Sequence, residues 1–505
     1  MNKKLILAAM FFAMLVALYI GFRIAGAITV RAPGIRLPEM FDTAITYAGI
    51  KNKAGVIAAK LFMLALLVLA IYRTAKFPKE GILWLIAATG INVMGRIFGG
   101  SLTAFHVLAA VFLFSGLRDA LGKKSYFRLM EMPFTGWSLV FLAVCAVSLS
   151  YSPAGMNGLN EFLRLVFLWA IFFVTGCMRL SAVEMRKIGG FLVLLGIVFC
   201  ALTACQYLAG KFVVSSARIA LGGGAGIFAR ASGFFVDPNK FALVMIPCFL
   251  TAASFMLSGE SRLRNAALLA GFMAVLALTF SRSAWLAAAA GLGFVILLSG
   301  VFLGGRLAVR IIPLFSAGFL VLALLYAAGY GKLLERRLHT IVHPYNDSSG
   351  AVRVNMAKSA VKMFAEHPFG VGWRGFPEVY SGYEISGTPL AGITGTEHRI
   401  SESHSLPFTI LAELGLQGII VTFFLVLSLF RHIIASLKEG GRRESVFAAM
   451  AGTALAFLVD FCFYSDIFNN LFWIFLGLIF SQAGRKANGK EIKGAGAGSP
   501  LPEWN

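Results

Sequence analysis

Apolar residues run in blocks about twenty long, and polar positions fall between the blocks rather than alternating within them. A bilayer core about 30 Å thick needs roughly 20 apolar residues per helix, so each block reads as a membrane span. One block runs from the N-terminus to about Gly21. The others lie at about 54–72, 81–96, 100–117, 135–151, 162–178, 189–209, 239–258, 265–280, 284–303, 311–330, 405–430, 446–464 and 467–483. The pattern predicts an all-α, polytopic integral membrane protein with about 12–14 transmembrane helices and one long loop. Ala25-Gly26-Ala27 loosely resembles a signal cleavage site. The first block exceeds the usual signal core of about 7–15 residues, so it reads as an uncleaved helix.

Two stretches interrupt the apolar pattern, at 210–238 and 331–404. The second is too polar to span a membrane. Its piece Ala351–Glu366 carries Val352, Met356, Ala360, Met363 and Phe364 at helical spacing, and Pro368 with the following glycines ends it. The predicted organisation is therefore 1–188, N-terminal helices; 189–330, central helices; 331–404, the long loop; 405–484, C-terminal helices; and 485–505, a Gly- and Lys-rich disordered cytoplasmic tail.

Composition agrees: of 505 residues 58% are hydrophobic and 13% charged, against about 25% charged in a soluble domain. The net charge of +22 would suggest nucleic acid in a soluble protein. Here the cations gather in short loops, at 73–79, 118–128, 179–187, 262–264, 306–310 and 431–443, as the positive-inside rule requires of cytoplasmic loops. This reading takes membrane lipid as the partner, excludes nucleic acid, and puts both termini in the cytoplasm. The six cysteines lie in apolar runs and read as small core residues, and the histidines are read as lacking metal-ligand spacing.

Chemistry then has to come from polar residues on the opposite side. Asp237-Pro238 is a helix-start signal, with a capping carboxylate ahead of a residue that needs no amide partner. Arg230 is either an interfacial snorkelling residue or a fork that grips phosphate. Arg282 lies between two apolar blocks, where an arginine is costly and marks a site. Two arginines on one side suit a diphosphate. Gly222–Gly226 offers a hinge or amides for phosphate. Gly370, Gly372 and Gly375 spell GxGxxG, but a helix and a proline precede it rather than a strand, so it reads as a close-packing turn and not a nucleotide site. His404, where the chain re-enters the membrane, is a general-base candidate beside Glu402, and His398 and His367 compete with it. Asp460, inside an apolar block, and Asp466 at its end are what a transporter would use. Lys60 and Arg164 sit near helix ends, placed to snorkel or to line a groove for an anionic lipid.

The order of these features resembles the O-antigen ligase and polymerase superfamily of bacterial envelope glycan assembly. The residues that carry the resemblance are Arg-x-Ser-Gly-x-Phe-x-x-Pro-Asn at 230–239, Ser281-Arg282 opening a helix, Arg353 ahead of Pro368-x-Gly-x-Gly, and His404-Ser405 before Glu413-Leu-Gly-Leu-x-Gly. It spans roughly 190–430. It implies a metal-independent, cofactor-free membrane glycosyltransferase of the bacterial inner membrane that takes a glycan from undecaprenyl diphosphate to an acceptor at the periplasmic face. Lipid A–core would be the acceptor of a ligase and a lipid-linked glycan that of a polymerase. A transporter or flippase is the third class. By motif position the resemblance assigns Arg230 and Arg282 to the diphosphate and His404 to the acceptor hydroxyl as catalytic groups. Arg353, Asp237, Asn239 and Arg164 are expected to bind substrate.

Overall fold

The computed structural model describes residues 53–90, 103–209, 218–220, 227–235, 237–303, 307–346, 348–385, 403–438, 445–464 and 467–481. These residues are mostly helical: α1 (Lys53–Lys76), α2 (Pro78–Gly90), α3 (Ala104–Gly122), α4 (Pro133–Ser148), α5 (Gly155–Cys177), α6 (Ala182–Ala209), α7 (Pro238–Ser258), α8 (Arg262–Leu278), α9 (Arg282–Leu303), α10 (Leu307–Ala327), α11 (Gly331–Val342), α12 (Ser348–Glu366), α13 (Leu406–Lys438), α14 (Ser445–Phe461) and α15 (Asn470–Ser481). Among the described residues, eight helices are long and apolar enough to cross a membrane, with three shorter apolar ones beside them. The protein is an all-α polytopic membrane protein. Among the described residues the strands form one small antiparallel hairpin, β1 (Arg218–Ala220) on β2 (Ile227–Ala229), with Ile219 opposite Phe228.

Every predicted span from 54 onward has a helical counterpart, while the first one lies outside the described residues. Boundaries differ where polar turns extend a helix beyond its apolar block. Thus α5 starts at Gly155 and carries Asn157, Glu161 and Arg164 in its first turns.

Helix α7 forms the centre and packs against α6, α8, α9 and α14. Almost all of its side chains are buried. Helices α9 and α14 meet backbone to backbone. A side chain at Gly291 would meet the Gly452 carbonyl, and one at Gly452 would meet Val295 and the Gly291 carbonyl. Without a hydrophobic drive between helices in lipid, such small residues permit the close approach that dispersion needs. On α10, Phe315, Phe319, Leu320 and Leu322 are exposed, a surface fit for hydrocarbon.

The two ends of the bundle are built differently. At one end the basic loops are laced together: Arg73 to Glu80 (2.7 Å), Lys79 to Glu184 (2.9 Å) and Arg186 to Glu260 (2.6 Å). Arg128 and Arg310 there donate to helix-end carbonyls of Phe480 and Leu257. At the other end, helix α13 breaks at Gly415 (φ 63°, ψ −150°) and receives the turn 368–376. Val371 N donates to Ala412 O and Gly372 N to Glu413 O (both 2.9 Å), and Leu416 N donates to Pro368 O (2.9 Å). A Cβ at Gly370 would collide with the Glu413 carbonyl, and Gly370 itself has φ 83°. The GxGxxG pattern is thus a close backbone approach, as its context predicts. Helix α12 lays Val352, Met356, Ala360 and Met363 under this turn, against Phe376 and Ala412.

Two expectations about cysteine and histidine need correction. Cys205 and Cys462 are exposed on the bundle surface rather than in the core. His339 and His343 do have i, i+4 spacing on α11, with ring centroids 4.6 Å apart. Among the described residues no group of three or more His, Cys, Asp or Glu side chains is placed to hold a metal ion.

Candidate functional site

The site lies at the end where α7 and α9 begin. Strand β2 leads into a turn held by Ala231 N to Leu278 O (2.8 Å) and by Gln206 Nε2 to Gly233 O (2.8 Å). That turn aims Arg230 inward. Its Nε donates to Thr279 O (2.7 Å) and its Nη2 to Asn239 Oδ1 (2.9 Å). Asp237 caps α7 by accepting from Asn239 N (2.8 Å), with Pro238 in the first turn. The capping reading of Asp237 holds, and the same carboxylate also accepts from the Tyr464 hydroxyl.

Arg282 opens α9, just after Phe280, which has φ 50°. Its Nη1 donates to Thr340 O (3.3 Å), one of the carbonyls that the C-terminal turn of α11 leaves without a helical partner. Thr340 in turn donates its hydroxyl to Arg337 O (3.0 Å). Arg353 on α12 holds its guanidinium 5.4 Å from the centre of the Tyr464 ring. His404 stacks on the same ring, with centroids 6.3 Å apart and planes 9° apart. Beside it the buried Ser403 hydroxyl bonds Thr409 Oγ1 (2.7 Å) and Ser405 O (2.8 Å). His404 has φ 54°, a conformation that costs about 1–3 kcal/mol in a non-glycine residue and persists where the surroundings enforce it.

The fold therefore gathers Arg230, Asp237, Asn239, Arg282, Arg353 and His404 from five separate segments. Two members were not expected. Tyr464 links Asp237, Arg353 and His404. Arg337 is the arginine whose charge acts most strongly on Arg230. Burial pushes the Arg230 guanidinium down to about 10; Arg337 adds to the shift, Asp237 opposes it, and Arg282 and Arg353 add smaller amounts. Arg230 stays charged at neutral pH, with Arg337, Arg282 and Arg353 acting on it as like charges and Asp237 as an opposite one. Such an arrangement favours an anion between the cations.

Arg164 does not join this group's hydrogen bonds. It pairs with Glu161 (3.3 Å) and lies 4.7 Å over the Phe468 ring, and Arg374 lies 5.3 Å over the same ring. Glu413, buried, fixes that segment by accepting from Arg374 N (2.8 Å) and Phe376 N (3.3 Å). An apolar cavity between α4, α13, α14 and α15, lined by Phe141, Leu406, Ile410, Leu425 and Trp473 among others, adjoins this second spot. Among the competing residues, His367 bonds Tyr383 at the exposed end of α12. Asp460 is fully buried in α14, one turn before Tyr464. His398, Glu402, Asp466, Gly222–Gly226 and the Lys60 side chain lie outside the described residues.

Residues 266–423 match a family model described as O-antigen ligase. The match covers just under a third of the chain, from α8 into α13, and contains Arg282, Arg337, Arg353 and His404. The resemblance to the O-antigen ligase superfamily holds over this stretch. No curated protein matches the chain.

Proposed function

We propose that this protein, with its O-antigen ligase-type region, is a glycosyltransferase that moves a glycan from undecaprenyl diphosphate to an acceptor hydroxyl, and that the reaction is ligation of O-antigen to lipid A–core. The observation that carries this reading is the convergence of Arg230, Arg282 and Arg353 with His404 around Tyr464 and Asp237. Cations and a base, together at one end of a membrane bundle, are what a lipid-linked diphosphate donor requires.

In the reaction the acceptor oxygen attacks the anomeric carbon, and its proton passes to the His404 imidazole. The bond from that carbon to the diphosphate oxygen breaks, and the diphosphate leaves with the electron pair. The arginines meet the charge that develops on the leaving oxygen. The base makes a weak hydroxyl nucleophile competent, a contribution of about 10²–10⁴-fold. A lipid donor enters sideways between helices. The positive-inside rule, with the basic loops cytoplasmic, puts this site at the periplasmic face of the inner membrane and both termini in the cytoplasm.

The test is a gel of envelope glycolipids from cells lacking the gene. Ligation predicts that all glycan leaves lipid A–core and accumulates on undecaprenyl diphosphate. A single repeat unit still on the core, with the ladder lost, would identify a polymerase. An unchanged ladder would contradict both and turn attention to Asp460.

A further inference from the structure

The paired histidines of α11 take no part in the chemistry above. His339 and His343 are four residues apart at the end of the helix, so they stand on one face, one turn above the other. Both are exposed, on the side of α11 away from the buried Leu333, Leu334 and Thr340. Their ring centres are 4.6 Å apart and their planes are tilted by 39°. A ring nitrogen lies about 1.1 Å from its centre, so a metal about 2.0–2.1 Å from each nitrogen stands roughly 3.2 Å from each centre. Centres 4.6 Å apart then subtend about 90° at the metal, the angle between neighbouring ligands in square-planar or octahedral coordination.

From this geometry we infer that His339 and His343 bind one divalent transition-metal ion of the copper, nickel or zinc class, with water in the remaining positions. Imidazole suits these ions, whereas calcium and magnesium require oxygen ligands. Lys332 and Arg336 share the exposed face and oppose the charge of the ion, while Glu335, one turn before His339, favours it. All three are exposed, where charges are screened; the bonds to nitrogen are not. The ion has a structural consequence. His343 is the C-cap of α11, where the backbone has left the helix (φ −116°, ψ 73°), and its N–H closes the last turn on His339 O (3.0 Å). The same turn carries Thr340, whose carbonyl receives Arg282. An ion across His339 and His343 therefore clamps a helix end that would otherwise fray, and it holds the acceptor of Arg282 in place. Bound on the exposed face, it acts on the site only through that turn.

The experiment uses the full chain, without a histidine tag, in lipid nanodiscs, with Cu2+ and Zn2+ as probes. Wild type should bind one Cu2+ per chain and show the paramagnetic-resonance pattern of two nitrogen ligands. His339→Ala and His343→Ala should each weaken Cu2+ binding by at least about tenfold and lose one nitrogen from the pattern. His367→Ala, on α12, should bind like wild type. With Zn2+ at about ten times its Kd, exchange of the backbone amides at 340–343 should slow about tenfold in wild type and not in either α11 variant. Both substitutions fall on exposed side chains, so metal-free unfolding temperatures should match wild type. Equal Cu2+ affinity in wild type and both α11 variants would overturn the site. Binding lost in those variants, with wild-type amide exchange unmoved by Zn2+, would overturn the clamp on α11. No Cu2+ binding by wild type would overturn both, and none of these outcomes depends on the glycan chemistry.

Discussion

The two ends of this helical bundle carry many cations, and they handle them in opposite ways. At the basic end, Arg73, Lys79 and Arg186 each meet a carboxylate within 3 Å, at sites that keep about a third or more of the cationic side chain in solvent. Those pairs satisfy a topological rule and are individually worth little. At the other end, Arg337, Arg282 and Arg353 act on a largely buried Arg230, and one carboxylate, Asp237, opposes them. A fold that gathers like charges away from water gives up stability for what those charges can bind. The comparison teaches that charge count along this chain says little about chemistry, whereas the company each charge keeps says a great deal.

The sharpest way to break the comparison is at the base and the clamp. His404→Ala should lower glycan transfer by about 10²–10⁴-fold while leaving diphosphate binding intact, measured with purified enzyme and lipid-linked donor. Arg282→Ala should lower transfer by about 10²–10³-fold and weaken diphosphate binding as well, which separates the two roles. Tyr464→Phe removes the hydroxyl that bonds Asp237 but keeps the ring under Arg353 and His404. It should cost less than either, about tenfold, whereas Tyr464→Ala should approach the loss of His404→Ala. Gly370→Ala should act through stability: a Cβ at φ 83° against the Glu413 carbonyl should cost about 1–3 kcal/mol, read as a lower unfolding temperature. Smallest of all, Lys79→Ala at the basic end should change stability by less than about 1 kcal/mol and transfer not at all.

How much of this was legible in the sequence depended on whether a feature is local. The helices were readable because hydrocarbon demands about twenty apolar residues in a row. Arg230, Asp237 and Asn239 sit within ten residues of one another, and Arg282 stands out between two apolar blocks. Arg337 was not readable. It follows Arg336 on an amphipathic helix, where an arginine pair looks like a solvated face, and only the packing of that helix sets its charge near Arg230. Tyr464 was hidden at the end of an apolar block that looks like any other. Arg164 has the right chemistry but different neighbours: in the third turn of α5 it stacks on Phe468 and pairs with Glu161. The link between the glycine turn and the break at Gly415 joins segments more than forty residues apart, and spacing rules carry no information at that range.

The measurement that tests the central claim most directly is single-turnover transfer in nanodiscs. Wild-type, Arg282→Ala and His404→Ala proteins would be given a glycan on undecaprenyl diphosphate together with lipid A–core. Wild type should form the glycolipid and release undecaprenyl diphosphate in equal amount, and both variants should stall with the donor intact. Transfer at the wild-type rate by both variants would contradict it, because the cluster at this end would then be doing something other than the chemistry.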